Sequence, residues 1–222
     1  ALSETLTNSE LEGQYDAGEW SCTNNVMVNE DNQITLANGQ STTCTIVNTA
    51  KPAQLTLVKN VVNEYGTPAE ASNWHLTATL DGAESAAVSG DGTATEDGLF
   101  AGTYALSETL TNSDLEGQYD AGKWSCTIGD ETADNLTSVT LKNGDVATCT
   151  IVNTAIAPKL TLQKVVVNQA GGTSVFSDWV LKMTQGDTTY EGITGQIDVT
   201  SQVVHEGTWD LSEVVPTGYE GM

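Results

Sequence analysis

The sequence predicts an all-β protein assembled from tandem units, and three observations carry that expectation. Runs rich in Val, Thr and Ile alternate with clusters of Gly, Asn and Asp, the composition of strands separated by turns. No long stretch repeats its apolar residues at helical spacing. Long strings also recur at an interval of 104 or 105 residues, the mark of a repeat architecture. "ALSETLTNSELEGQYDAGEWSCT" at 1–23 returns as "ALSETLTNSDLEGQYDAGKWSCT" at 105–127, and "TTCTIVNTA" at 42–50 returns as "ATCTIVNTA" at 147–155.

An interval of 105 also relates "LTLVKNVVN" at 55–63 to "LTLQKVVVN" at 160–168, and Trp74 in "SNWHLTA" to Trp179 in "SDWVLKM". The period sets the domain organisation. Residues 1–49 read as the C-terminal part of one repeat, 55–154 as a complete repeat, and 160–222 as the N-terminal part of a third. "TAKPAQ" and "TAIAPK" join them, short and each with a Pro, which holds neighbours in a fairly fixed relation. The chain starts at Ala1 and reads as an interior piece of something longer.

Within the middle repeat the first strand is 55–63. Side chains alternate along a strand, so Leu55, Leu57, Lys59 and Val61 share one face. A lysine in line with three aliphatic side chains is expensive to bury unless it is paired or its charge is removed. The third repeat keeps the arrangement, with Leu160, Leu162, Lys164 and Val166 aligned. Further along, "TYALSE" at 103–108 puts Tyr104, Leu106 and Glu108 on one face. The last strand, "TCTIVNT" at 148–154, aligns Cys149, Ile151 and Asn153. Three polar groups, Lys59, Glu108 and Asn153, therefore stand on the apolar sides of three strands. The first repeat retains Glu4 and Asn48, the third Lys164 and Glu213.

The four cysteines form two pairs at near-equal separation, Cys22 with Cys44 and Cys126 with Cys149. No C-x-x-C or nearby His marks a metal site, so one disulfide per repeat is expected in an oxidising location, adding about 3 kcal/mol each. Buried free thiols are the alternative.

An amine, a carboxyl and a carboxamide in a dry core have a reaction available. Burial disfavours charge on the first two, which frees the amine as a nucleophile and lets the acid hydrogen-bond the amide carbonyl. Attack by Lys59 on Asn153 with loss of ammonia would leave an isopeptide bond, with Glu108 catalytic. Glu4 and Glu213 would take that role in the flanking repeats, for Asn48 and Lys164. Two other outcomes stay open: a buried ion pair that never reacts, and a lysine at a strand edge reaching out to water.

At these residues the chain resembles the prealbumin-like (CnaB-type, Ig-like) β-sandwich domains of bacterial surface adhesins and pilins. Their first-strand lysine matches Lys59 and Lys164, their final Asn-Thr matches Asn48 and Asn153, and their "YxLxE" box matches "TYALSE" ending at Glu108. "TWDLSEVVPTGYEG" matches the box together with its Pro-x-Gly-Tyr turn, at Glu213, Pro216, Gly218 and Tyr219. The middle repeat departs from the pattern, with "LSETLTNSDLEGQY" in place of the short turn. The resemblance implies tandem β-sandwiches and a structural stalk or filament segment of a large secreted surface protein. Each repeat would be held by an isopeptide bond and a disulfide, and neighbouring repeats would be the partners. A ligand-binding adhesin module, for sugar, ice or a host protein, and a filament subunit assembled by strand pairing between chains are the competing readings.

Charge and motifs narrow the rest. A net charge of −23 and a pI near 4.1 lack the basic footprint of a nucleic-acid binder. No membrane span is visible in the sequence. No cofactor, metal site or phosphate loop is expected, and the acidic loop with Asp91, Glu96 and Asp97 lacks the spacing of a calcium loop. The five tryptophans read as core anchors. His75 and His205 occupy different places in their repeats, and no supported Ser-His-Asp set is expected, so the chain is not read as an enzyme on external substrates. The surface ligand of the full protein, if there is one, is expected outside this segment.

Overall fold

A computed structural model describes every residue except Thr67, Ala170 and 220–222. Among the described residues the secondary structure is strand, turn and short 3-10 helix, with no α-helix. Residues 1–50 supply four two-residue strands: β1 (Tyr15–Asp16), β2 (Ser21–Cys22), β3 (Cys44–Thr45) and β4 (Thr49–Ala50). The middle repeat supplies β5 (Ala53–Val62), β6 (Trp74–Leu80), β7 (Val88–Asp91), β8 (Thr93–Leu99) and β9 (Gly102–Leu110). It continues with β10 (Tyr119–Ala121), β11 (Trp124–Ile128), β12 (Glu131–Leu136), β13 (Ser138–Leu141) and β14 (Val146–Ala155). The remainder supplies β15 (Lys159–Leu160), β16 (Val180–Gln185), β17 (Thr188–Gly192), β18 (Gln202–Val203) and β19 (Asp210–Val214).

Contacts divide the chain into two compact units. The first comprises Ala1–Asn60, Glu70–Asp114 and Ala121–Val152, and the second Val61–Ala69, Leu115–Asp120 and Asn153–Met222.

The first unit is a sandwich. One sheet runs β12-β11-β14-β5-β8, with β10 also on β14, and the other runs β13-β9-β6-β7. Inward residues of both sheets, among them Leu55, Leu57, Leu76, Tyr104, Trp124, Val139 and Ile151, form one buried cluster. The expected alternation holds in β5, whose odd-numbered residues from Ala53 to Lys59 are buried and whose even-numbered ones lie nearer solvent. An Asn143-Gly144 turn links β13 to β14. Gly144 sits at φ +79, where a side chain would be strained, and the Asp145 carboxylate accepts from the Lys142 amide at 2.7 Å.

That turn fixes how the first and last strands of the repeat meet. The Gly144 amide donates to the Lys51 carbonyl at 3.1 Å and the Gln54 amide to the Asp145 carbonyl at 2.8 Å. β5 and β14 are neighbours in the sheet and enter it from the same end, so they run parallel.

Both expected disulfides are formed, Cys22–Cys44 and Cys126–Cys149, each between directly paired residues of adjacent strands. A second device recurs with them. The Gly122 amide donates to the Val152 carbonyl at 2.9 Å, and a Cβ on Gly122 would land on that oxygen. A Cβ on Gly18 would likewise land on the Val47 carbonyl oxygen.

The second unit has a three-stranded sheet, β17-β16-β19, a two-stranded ladder, β15-β18, and a core of Leu162, Leu181, Met183, Val199 and Val204. Here the structure corrects one expectation. Residues 160–168 were expected to form a strand like 55–63, yet only Lys159–Leu160 belongs to a ladder. The cause is pairing rather than propensity. β5 is flanked by β14 and β8, whereas among the described residues 161–168 has no strand partner.

Candidate functional site

The site is built on β5, β9 and β14. Alternation along β5 sends Lys59 into the sandwich behind Leu55 and Leu57, where it is 3% exposed. That burial excludes a lysine reaching to water from a strand edge. On the opposite sheet, β9 buries Tyr104 and Leu106 and presents Glu108 in the same direction. Lys59 Nζ donates to Glu108 Oε2 at 2.5 Å, so the pair bridges the two sheets through the core. The Trp74 ring, also buried, lies with its centroid 4.8 Å from the ammonium. Desolvation lowers the Lys59 pKa below that of a free lysine. The hydrogen bond and charge of Glu108 pull the other way without overcoming it.

The same contact recurs, less deeply buried, at residues 164 and 213. Lys164 Nζ donates to Glu213 Oε2 at 2.6 Å, with the Trp179 ring centroid 5.0 Å away. In residues 1–50 it is the other contact that is present: Asn48 Nδ2 donates to Glu4 Oε2 at 3.0 Å. Asn153 itself is 2% exposed, on β14, the strand beside β5. A carboxylate between an amine and a carboxamide can accept a proton from the first and return it to the second.

Some contributors were not read from the sequence. Trp74 and Trp179 were expected only as core anchors, yet their rings stand over the lysines. Trp124 is a buried core residue as expected, while Trp20 and Trp209 are partly exposed. At the end of the first strand, Asn63 Oδ1 accepts from Tyr119 Oη at 2.6 Å and from the Ala69 amide at 3.1 Å. Asn168 Oδ1 accepts from Tyr219 Oη at 2.9 Å. The longer "LSETLTNSDLEGQY" run therefore delivers its tyrosine to the asparagine position that the Pro-x-Gly-Tyr turn serves in the third repeat. The shared Asn at the close of both "LTLVKNVVN" and "LTLQKVVVN" was the available signal.

A Ser-His-Asp set was not expected, but one is present. His75 Nδ1 lies 2.6 Å from Asp91 Oδ1, and Nε2 lies 2.9 Å from Ser89 Oγ. Register creates it: His75 is directly opposite Asp91 and diagonal to Ser89 across β6 and β7, a pairing invisible in the sequence. Ser89 and Asp91 are exposed and His75 partly so, making this a cross-strand ladder on a solvent-facing surface. Among the described residues no cluster of His, Cys, Asp or Glu could hold a metal ion, and no helix is long and apolar enough to cross a membrane.

The family model for a prealbumin-like fold domain matches residues 1–46, 50–151 and 156–222. Among solved structures the chain is similar to the major pilin protein from Streptococcus pyogenes, at 14% identity and a TM-score of 0.38, over 64% of this chain and 62% of that one. A second crystal structure of the S. pyogenes major pilin gives 16% identity and a TM-score of 0.34, over 63% of each chain. The chain thus spans less than two thirds of the length of these pilins. No curated protein matches it.

Proposed function

The chain belongs to the family of prealbumin-like fold domains, and from that membership we propose that it is a stalk or filament segment of a bacterial surface protein, outside the cell, in repeats of about 105 residues. Each complete repeat ties its first strand to its last by an isopeptide bond. The observation that carries this reading is the Lys59–Glu108 contact at 2.5 Å inside the sandwich. It is supported by its copy at Lys164 and Glu213, by the Glu4–Asn48 contact, and by the burial of Asn153.

The chemistry balances within the three side chains. Glu108 accepts a proton from the Lys59 ammonium, which burial already disfavours. The neutral amine attacks Cγ of Asn153 while the protonated acid hydrogen-bonds its carbonyl oxygen. A Cγ–Nζ bond forms and the Cγ–Nδ2 bond breaks. The departing nitrogen takes up the two protons that leave Nζ, one of them by way of Glu108, and goes as ammonium. Glu108 ends as it began. The reaction occurs once per repeat and does not turn over.

Mechanics gives the bond its purpose. β5 and β14 are parallel neighbours, so tension between the start of the first and the end of the last shears their shared ladder. An amide between Lys59 and Asn153 would carry that load covalently and shield the residues between them, so that extension requires breaking a bond. The Cys126–Cys149 bridge secures the segment between these two residues in the same way.

Intact mass of the wild type and of Glu108→Ala tests the reading. The wild type is expected to fall short of its sequence mass by one ammonia for the middle repeat, with a Lys59–Asn153 branched peptide after digestion, and the variant to show the full mass. A wild type of full sequence mass, disulfide hydrogens allowed for, would falsify the bond.

A further inference from the structure

The sheet β13-β9-β6-β7 buries Trp74 and Leu76 on its inner face, and its outer face carries a group that a load-bearing role does not use. Alternation along β6 turns His75 and Thr77 outward. Register sets Asp91 and Ser89 of the edge strand β7 directly opposite them. His75 Nδ1 lies 2.6 Å from Asp91 Oδ1, and Nε2 lies 2.9 Å from Ser89 Oγ. A carboxylate can only accept, so in the neutral ring Nδ1 carries the proton and Nε2 accepts from the Ser89 hydroxyl. A nucleophile bonded to its base, and a base bonded to the group that orients it, is the arrangement that activates a serine. The fold does not demand it. Val180 follows Trp179 in the third repeat where His75 follows Trp74 in the second. Solvent reaches the group as well: Ser89 is exposed and the His75 side chain is 39% exposed.

We propose that Ser89 is a nucleophilic serine that takes the acyl group of small activated carboxylic esters, with His75 as its base and Asp91 positioning that base. Oγ of Ser89 attacks the ester carbonyl carbon while its proton passes to His75 Nε2. Asp91 holds the Nδ1 proton and stabilises the imidazolium that forms. The bond from the carbonyl carbon to the leaving oxygen breaks, and that oxygen takes the proton from Nε2. Water then attacks the acyl-serine, giving one proton to Nε2. The carboxylic acid departs and Ser89 Oγ recovers its proton from Nε2. Thr77, directly opposite Ser89 on the same face, brings a hydroxyl to the side where the tetrahedral oxygen develops charge. The face is open, so the site selects esters by their reactivity rather than by their shape. None of these groups takes part in the reaction of Lys59 with Asn153, and neither proposal depends on the other.

The purified chain is to be incubated with a fluorophosphonate, whose phosphorus stands in for the ester carbonyl carbon and which releases fluoride, and the adduct weighed and located by digestion. One adduct per chain is expected, on Ser89, and Ser89→Ala should take up none. His75→Val, which installs the residue that the third repeat carries, should fold as the wild type does and label about 100-fold more slowly, the loss of a general base. Asp91→Asn should lower the maximal labelling rate and leave the half-saturating probe concentration unchanged, a split that an aspartate with a purely structural role would not produce. Hydrolysis of p-nitrophenyl acetate should rank the variants in the same order. A wild type that labels no faster than Ser89→Ala, or that carries the adduct on another residue, overturns the proposal. Labelling of Ser89 at the full rate in His75→Val overturns it too, and leaves the two hydrogen bonds as a surface ladder.

Discussion

Lys59 and Glu108 meet at 2.5 Å although they belong to opposite sheets of the sandwich, so the ion pair is also a tie across the core. An ammonium with no exposed side-chain surface, one carboxylate oxygen and an indole face constitute a group whose charge the fold tolerates poorly. The proposed chemistry removes that charge.

Removing Glu108 should therefore act twice. In the wild-type background Glu108→Ala and Glu108→Gln should both abolish ammonia loss, since neither can accept the proton. In an Asn153→Ala background, where no cross-link can form, adding Glu108→Ala should lower the unfolding free energy by about 3 kcal/mol, the cost of stranding one member of a buried pair. Guanidinium titrations of the single and double variants measure the difference.

The Lys59 amine gives a signed pH dependence. Its pKa in the folded chain lies below the ordinary value of 10.5, so the unfolded chain binds more protons across the interval between the two. Stability from this group is complete above 10.5 and is lost as pH falls through the folded pKa. In the Asn153→Ala background, unfolding free energy measured against a matched Lys59→Met variant should rise with pH through that interval. A cross-linked chain should lack the slope, because an amide does not titrate there.

The Cys126–Cys149 bridge closes a loop with a sequence separation of 23. Replacing both cysteines by alanine should cost about 3 kcal/mol by the chain-entropy estimate if the rest of the chain unfolds freely. In wild type bearing the isopeptide the loss should be smaller, since the unfolded chain is already constrained. Denaturant titrations of the cysteine variants with and without Asn153→Ala separate the two contributions.

Gly122→Ala should destabilise the chain by about 1–3 kcal/mol, because its Cβ would occupy the place of the Val152 carbonyl oxygen and force the backbones of the Gly122 segment and β14 apart. Gly117→Ala is the comparison. A Cβ there meets nothing, and its φ of +73 charges only the local conformational cost. Thermal melts of the two variants should place Gly122→Ala lower.

Much of the site was legible because strands alternate. The period of two placed Lys59, Glu108 and Asn153 on apolar faces before any coordinates, and the repeat showed that none of the three was an accident of register. The ring of Trp74 over Lys59, the tyrosines held by Asn63 and Asn168, and the His75 ladder were not legible. Each depends on which residues face one another between strands, and register is set by turns and packing rather than by local sequence.

The sequence by itself determined the all-β class, the 105-residue period, the cysteine pairing and the inward direction of the lysine, since all four follow from periodicity and spacing. Tertiary structure decided that β5 and β14 run parallel as neighbours, that Lys59 finds Glu108 on the opposite sheet, and that residues 161–168 stay out of a ladder while 53–62 form one. The reason is the same in each case. A strand is completed by hydrogen bonds to another strand, and two nearly identical sequences take different states when one has that neighbour and the other does not.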